Sequence, residues 1–437
     1  MLKKILRDSL PTMISLTLSG MYSVVDGIFI GRAAGDTGLA AINIAWPITA
    51  VITALGIGIG TGGSVLVSHY RGKQEQEESR RAKDNTLSLL IVTGIGITAL
   101  LLLCYPGLLT ILGAKGEVYR QALRYSEIIV MGSLLQVLGT GLLPVLRNMD
   151  MAVAAMISMM IGLFANIGIN YYLMFEKNMG IRGAAYGTVA AQGLVAGISM
   201  VLLVRRQRIG FYLNQELSKH TVRTGITAFG MSIAPSVTLI FTNWQCLAYG
   251  GAQAVACYAV ISYITFPVQY MLSGIGDGTQ PLMSFYHGAG KEREVEQIKR
   301  IAYILAGIIG TIAAVTVIVL SPRIGGWFGL SSQAAVYFEA GMRISALSFF
   351  LLGYVKFHTS YLNAVLQTRK AIFLTYAESF LVTPVLLYLL PVFAGISGVW
   401  AALPVTSVCM LFLYQLVRQY HAGQKKADTD NRSENGS

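Results

Sequence analysis

The apolar run "LSLLIVTGIGITALLLLCYPGLLTIL", Leu87 to Leu112, carries no charged residue. A chain crossing a bilayer must satisfy its backbone N–H and C=O groups internally, so such a run spans as a helix of about 20 mostly apolar residues. Runs of this kind recur twelve times. In the first half they cover 9–31, 38–68, 86–112, 119–146, 151–175 and 183–204; in the second, 224–249, 252–287, 298–320, 334–364, 370–392 and 396–418. None alternates with period two, which excludes a β-barrel. Only 12% of the 437 residues are charged, about half the share of a soluble domain. The fold class predicted is an all-α integral membrane protein with twelve transmembrane helices.

The loops order these spans. Counting from a cytoplasmic N-terminus, every second loop is rich in Lys and Arg: "RGKQEQEESRRAKD", "RRQRIGFYLNQELSKHTVR", "GKEREVEQIKR", "TRK" and the tail "RQYHAGQKKADTDNR". The intervening loops, such as "GAKGE" and "GGAQ", are poor in both. The asymmetry follows the positive-inside rule and places both termini in the cytoplasm, in a multi-pass protein of the cytoplasmic membrane. The net charge of +12 is thereby explained without a nucleic-acid partner. "MLKKILRDSLP" leads into the first span without a short apolar core and cleavage site, so it reads as retained rather than as a signal peptide. Residues 421–437 are polar and lack aliphatic bulk, and disorder is expected there. Cys104, Cys246, Cys257 and Cys409 lie in apolar runs with no paired spacing and read as small packing residues.

One stretch is written twice. "GIGTGGSVLVSHYRG" (58–72) and "GIGDGTQPLMSFYHG" (274–288) align at a shift of 216 residues with eight of fifteen positions identical, including Leu66/Leu282, Ser68/Ser284 and Tyr70/Tyr286. Both fall at the cytoplasmic ends of the second and eighth spans. Six spans per half keep the halves in the same orientation, related by an axis along the membrane normal. The expected organisation is an amino-terminal six-helix lobe (1–215) and a pseudo-symmetric carboxyl-terminal one (216–420). The glycines sit within membrane helices, so they permit close helix approach rather than form a phosphate loop.

Ionisable groups inside a bilayer are costly and mark function by default. In "MYSVVDGIFIGR", Asp26 closes a stripe of Ser15, Ser19, Tyr22 and Asp26 at helical spacing. Asn166 and Asn170 are four apart on the fifth span, and Thr188 and Gln192 are four apart on the sixth. One carboxylate with amide and hydroxyl oxygens suits a proton or a hard, oxygen-ligated cation. The position matching Asp26 in the second half is Thr242, so the acid is not duplicated. Tyr258, Ser262, Thr265 and Gln269 share a face of the eighth span. Lys356 and His358 lie on the tenth and Glu378 on the eleventh, where Lys356 and Glu378 can pair between neighbouring helices. Asp277, opposite Thr61 in the repeat, is expected near the cytoplasmic surface. The candidate substrate-cavity residues are Tyr22, Gln192, Tyr258, Gln269 and Glu378. No HExxH, GxSxG, Walker loop or paired-Cys site occurs, so an enzyme is not expected. No cytoplasmic loop is long enough to hold a nucleotide-binding segment, which leaves an ion gradient or downhill movement as the driving force.

"SVVDGIFIGRAAG", the two glycine-rich spans, "LRNMD" after the fourth span, "NIGIN" on the fifth and "GIRGAAYGTV" into the sixth together resemble the multidrug and toxin extrusion (MATE) family of bacterial exporters. The resemblance covers roughly residues 5–420. It implies a V-shaped pair of six-helix lobes that alternate in access and export organic cations or other amphiphilic compounds in exchange for H+ or Na+, with no further cofactor, in a chain expected to be a monomer. It also implies that Asp26, Asn166 and Thr188 match an amino-lobe ion site, with Asn170 standing where many members carry Asp. That loss of one acid favours H+ over Na+ at Asp26. Two alternatives stand beside this reading: a lipid-linked saccharide flippase of the same superfamily, and a non-transporting membrane receptor or scaffold.

Overall fold

The computed structural model describes residues 2–327 and 332–434, and among them there is no strand. Among the described residues ten helices are long and apolar enough to cross a membrane, and counting each of two bent pairs as one span brings the number to twelve. The amino-terminal set is α1 (Lys3–Ala34), α2 (Ala41–Gly72), α3 (Gln76–Ile111), α4 (Gly116–Met131 with Ser133–Asn148), α5 (Ala152–Glu176) and α6 (Ile181–Arg206). The carboxyl-terminal set is α7 (Gln215–Gly251), α8 (Gln253–Gly288), α9 (Glu292–Ile324), α10 (Tyr337–Ala346 with Phe349–Ala364), α11 (Thr368–Ala394) and α12 (Ile396–Val417). The helix that carries α12 continues to Glu434.

Two spans predicted as single helices are broken. α4 bends by 59° and α10 by 46°. The break in α4 falls at Gly132, where Val189 of α6 occupies the space a Cβ would need. At the break in α10 the Ser348 hydroxyl donates to the Ser345 carbonyl at 2.7 Å, a local bond that competes with the helical ladder. Two π-turns interrupt other spans, at Tyr172–Glu176 in α5 and Ala377–Val382 in α11.

Each set of helices builds its own apolar core. One core runs from Ile30 through Leu90, Ile129 and Leu142 to Leu203. The other joins Ile261, Ile275, Phe338, Phe357 and Trp400, and it takes in Ile5 and Met13 from the start of α1. Those two residues show where the lobes meet: α1 lies on α8, and α2 lies on α7.

The repeated stretch forms this seam. A Cβ on Gly58 would meet Phe229 and the Gly225 carbonyl of α7, and one on Gly62 would meet Thr221 and Gly225. Their counterparts Gly274 and Gly278 on α8 abut Met13 and Ser9 of α1. Shifting Met13 and Ser9 by the repeat length of 216 gives Phe229 and Gly225, so the two contact sets are copies. At the end of the seam Gly72 faces Phe285, and Gly288 faces His69, which again exchange under the same shift. The duplicated glycines thus pack the lobes together backbone against backbone, at the end that bears the basic loops. Gly60 differs in role, packing against Gly141 inside the amino-terminal lobe.

Candidate functional site

Three of the predicted residues, Asp26, Asn166 and Asn170, are joined by hydrogen bonds, and the neighbour of the fourth, Thr188, packs on them. Asn166 and Asn170, one helical turn apart, share a face of α5, and Asn170 immediately precedes the π-turn of that helix. π-Turns recur at functional sites because the extra residue re-aims the side chains beside it. Asn170 Nδ2 donates to Asp26 Oδ1 at 2.5 Å and lies 3.1 Å from Asn166 Oδ1. Asn166 and Asn170 are buried, Asp26 is half-buried, and Thr188 of α6 is buried. Gly187, next to Thr188, carries no Cβ because Asn170 Oδ1 fills that space. That oxygen has no hydrogen-bond partner among the described residues. A buried, unpaired acceptor is costly, and a ligand bound there removes the cost.

The surroundings were not legible from spacing. Tyr125 of α4 is buried within electrostatic reach of Asp26. Phe29 meets Phe175 edge-on, with ring centroids 5.7 Å apart, and Tyr171 lies beside Phe175. Asp26 thus has amide neighbours in Asn170 and Asn166, and a phenol within electrostatic reach. Of the polar stripe on α1, Ser15 is buried and Ser19 half-buried; the side chain of Tyr22 lies outside the described residues.

The substrate-cavity candidates lie on several helices of both lobes. Gln192 packs its side-chain oxygen against Gly139 of α4, inside the amino-terminal lobe. Tyr258 is 3% exposed, stacks on Trp400 at 6.2 Å and lies beside Thr242. Its burial comes from the packing of α8 against α12. Gln269 is half-buried on α8. His358 shares a 2.6 Å hydrogen bond with the Tyr303 hydroxyl and stacks on Tyr414 with centroids 3.6 Å apart. Asp277 accepts a hydrogen bond from Ser360 at 3.3 Å.

Glu378 sits in the π-turn of α11 and takes a 2.8 Å bond from Lys356 Nζ, the ion pair that the sequence suggested. Both side chains are largely buried, at 12% and 14% exposure. A buried pair is self-neutralising, and removing one partner strands the other charge. Glu378→Leu is therefore expected to cost about 3 kcal/mol of stability, and the double change with Lys356→Met to restore most of it. Thermal unfolding of the two variants in detergent distinguishes these outcomes.

Comparison with known proteins bears on this arrangement. The MatE family model matches the chain once in each half, at residues 11–172 and 226–389. The chain belongs to the MatE family. The family consists of membrane transporters, not enzymes. The chain is 27% identical over 431 residues to the multidrug export protein MepA of Staphylococcus haemolyticus, covering 95% of this chain and 93% of that protein. MepA of Staphylococcus aureus strain MSSA476 is 26% identical over 430 residues, covering 95% and 94%. Among solved structures, a MATE transporter in complex with MaL6 superposes with a TM-score of 0.91 at 23% identity, over 97% of each chain. An outward-facing multidrug resistance MATE transporter of the MOP superfamily gives 0.91 at 22% identity, over 97% and 96%. These MatE structures fix the fold as two six-helix lobes in a V.

Proposed function

We propose that this chain is a secondary antiporter that exports organic cations or amphiphilic drugs in exchange for H+, with Na+ as the alternative ion. The observation that carries the reading is the hydrogen-bonded cluster of Asp26, Asn166 and Asn170, with Thr188 one residue from Gly187 that packs on Asn170, in one lobe of a two-lobe MatE transporter. Its relatives' description as multidrug export proteins supports the substrate class. In this reading the basic loops face the cytoplasm, both termini are inside, the membrane is the cytoplasmic one and the chain works as a monomer. Ion and substrate favour opposite lobe arrangements, so that each drives the other. Asp26 is the only formal negative charge among these four residues, and a single carboxylate binds Na+ with less Coulomb energy than a pair would, while it still takes a proton. The flippase alternative needs a cationic cavity, but the deep cation Lys356 is neutralised by Glu378.

The experiment is a choice of gradients in proteoliposomes. An imposed pH jump at constant Na+ is expected to drive ethidium transport several-fold above the leak. A Na+ jump at fixed pH is expected to leave it at the leak. A response to Na+ alone would overturn the H+ assignment, and no response to either gradient would overturn exchange.

A further inference from the structure

Residues 146–150, "LRNMD", take no part in the ion site. They close α4 at the basic end of the seam, and Asn148 there crosses to the other lobe. Asn148 Nδ2 donates to Gln280 Oε1 of α8 at 3.1 Å, and Gln280 Nε2 donates to Asn148 Oδ1 at 3.3 Å. The two carboxamides thus form a reciprocal pair between lobes, both buried. Each is oriented from its own side. Ser68 donates to Asn148 Oδ1 at 2.6 Å, Asn148 Nδ2 also reaches the Pro144 carbonyl at 3.0 Å, and Gln280 Nε2 also reaches Ser284 at 2.9 Å. Arg71 fixes the end of α4 through the Asn148 carbonyl at 2.7 Å and the Asp150 carboxylate at 2.6 Å. Arg147 of α4 and Asp277 of α8 add opposite charges that interact across the same seam.

The arrangement is made once, not twice. In the first copy of the repeat, Gln280 and Asp277 are replaced by Ser64 and Thr61. Asn363 of "YLN" occupies the place corresponding to Asn148 of "LRN", one residue off the repeat shift. Its side-chain oxygen has no hydrogen-bond partner among the described residues. The glycine contacts are therefore symmetric and undirected, while the amide pair is specific to this one crossing.

We propose that Asn148 and Gln280 are positioning residues that latch the lobes shut at the basic end and set how often that end opens. The proposal rests on the alternating-access reading. A neutral amide pair suits a gate that must open repeatedly. Water replaces each partner on opening, so each bond shifts the equilibrium by only a modest factor. In the closed state every donor and acceptor of the pair has a partner, which makes the contact directional and cooperative.

The test reads lobe separation directly. With Cys104, Cys246, Cys257 and Cys409 replaced by Ala, spin labels at Gln76→Cys and Gln297→Cys mark the exposed basic ends of α3 and α9. Pulsed EPR distances in lipid nanodiscs then report the open and closed populations. Gln280→Met keeps the side-chain volume and removes the bonds. It is expected to raise the open-to-closed ratio by about tenfold. Asn148→Leu is expected to do the same, and the double variant to add little, because both remove one contact. Gln280→Asn, too short to span the seam, gives the same shift if the Met variant does not fold. Asn363→Leu is expected to leave the distances unchanged. An unmoved distribution in the Gln280 variants, or a fully additive double variant, overturns the latch. A latch shift in a protein without ion-driven flux would overturn the exchange reading and spare the latch.

Discussion

Asp26→Asn is expected to abolish ion-driven efflux while leaving the protein folded. The substitution keeps the shape of the side chain and lets an amide oxygen accept the bond that Asn170 Nδ2 now gives to the carboxylate. What it removes is the one carboxylate among Asp26, Asn166, Asn170 and Thr188. For an ion to swing two lobe arrangements from 1:99 to 99:1, it must prefer one of them by a factor of about ten thousand. An amide retains almost none of that preference. Ethidium efflux driven by a pH gradient is accordingly expected to fall by at least about a hundredfold, while downhill equilibration of the dye persists. Size-exclusion behaviour and helix content by circular dichroism check that folding is intact. Gradient-driven transport at the parental rate would remove Asp26 from the mechanism.

The sequence carries the architecture because a bilayer leaves so few choices. Each apolar run has to be a helix, and the Lys and Arg content of the loops orders the runs. The approach of Asp26, Asn166 and Asn170 to one another was also legible, since all three sit in motifs with helical spacing. Tyr125 was not, because a tyrosine in an amphipathic segment gives no sign that the bend at Gly132 will turn its helix toward Asp26. The packing of Tyr258 was not legible either. It shares a helical face with polar residues, but Trp400, more than a hundred residues away, decides that this face is core. Periodicity reports which residues share a side of a helix; what covers that side depends on another helix.

The repeat shows the same limit. Its identical positions announced the duplication, and the glycines proved to be the matched halves of the seam between lobes. The positions where the copies differ do separate work, and their partners are remote. Asp277 and Gln280 interact with Arg147 and Asn148 across the lobes. Nothing in the local sequence of α8 points to "LRNMD", because the crossing exists only once the two lobes are assembled.

The position of Asn170 supplies the second large effect. Its side chain lies 2.5 Å from the Asp26 carboxylate, where a second acid would stand in a two-carboxylate site. Asn170→Asp places two like charges in contact. Even at an effective dielectric constant of 20, unit charges 4 Å apart repel by about 4 kcal/mol. The pair must then either share a proton or bind a cation between its oxygens. Gly187 leaves the space that the present amide oxygen fills, so a carboxylate of the same shape fits at residue 170. Na+ therefore gains a site with twice the formal negative charge. Efflux by Asn170→Asp is expected to become Na+-stimulated at fixed pH, with half-maximal stimulation at a Na+ concentration at least about tenfold lower than any response of the parent. Proteoliposomes titrated with Na+ at constant ionic strength, with choline as the replacing cation, measure this. Continued indifference to Na+ in the variant would show that the number of carboxylates at this site does not select the coupling ion.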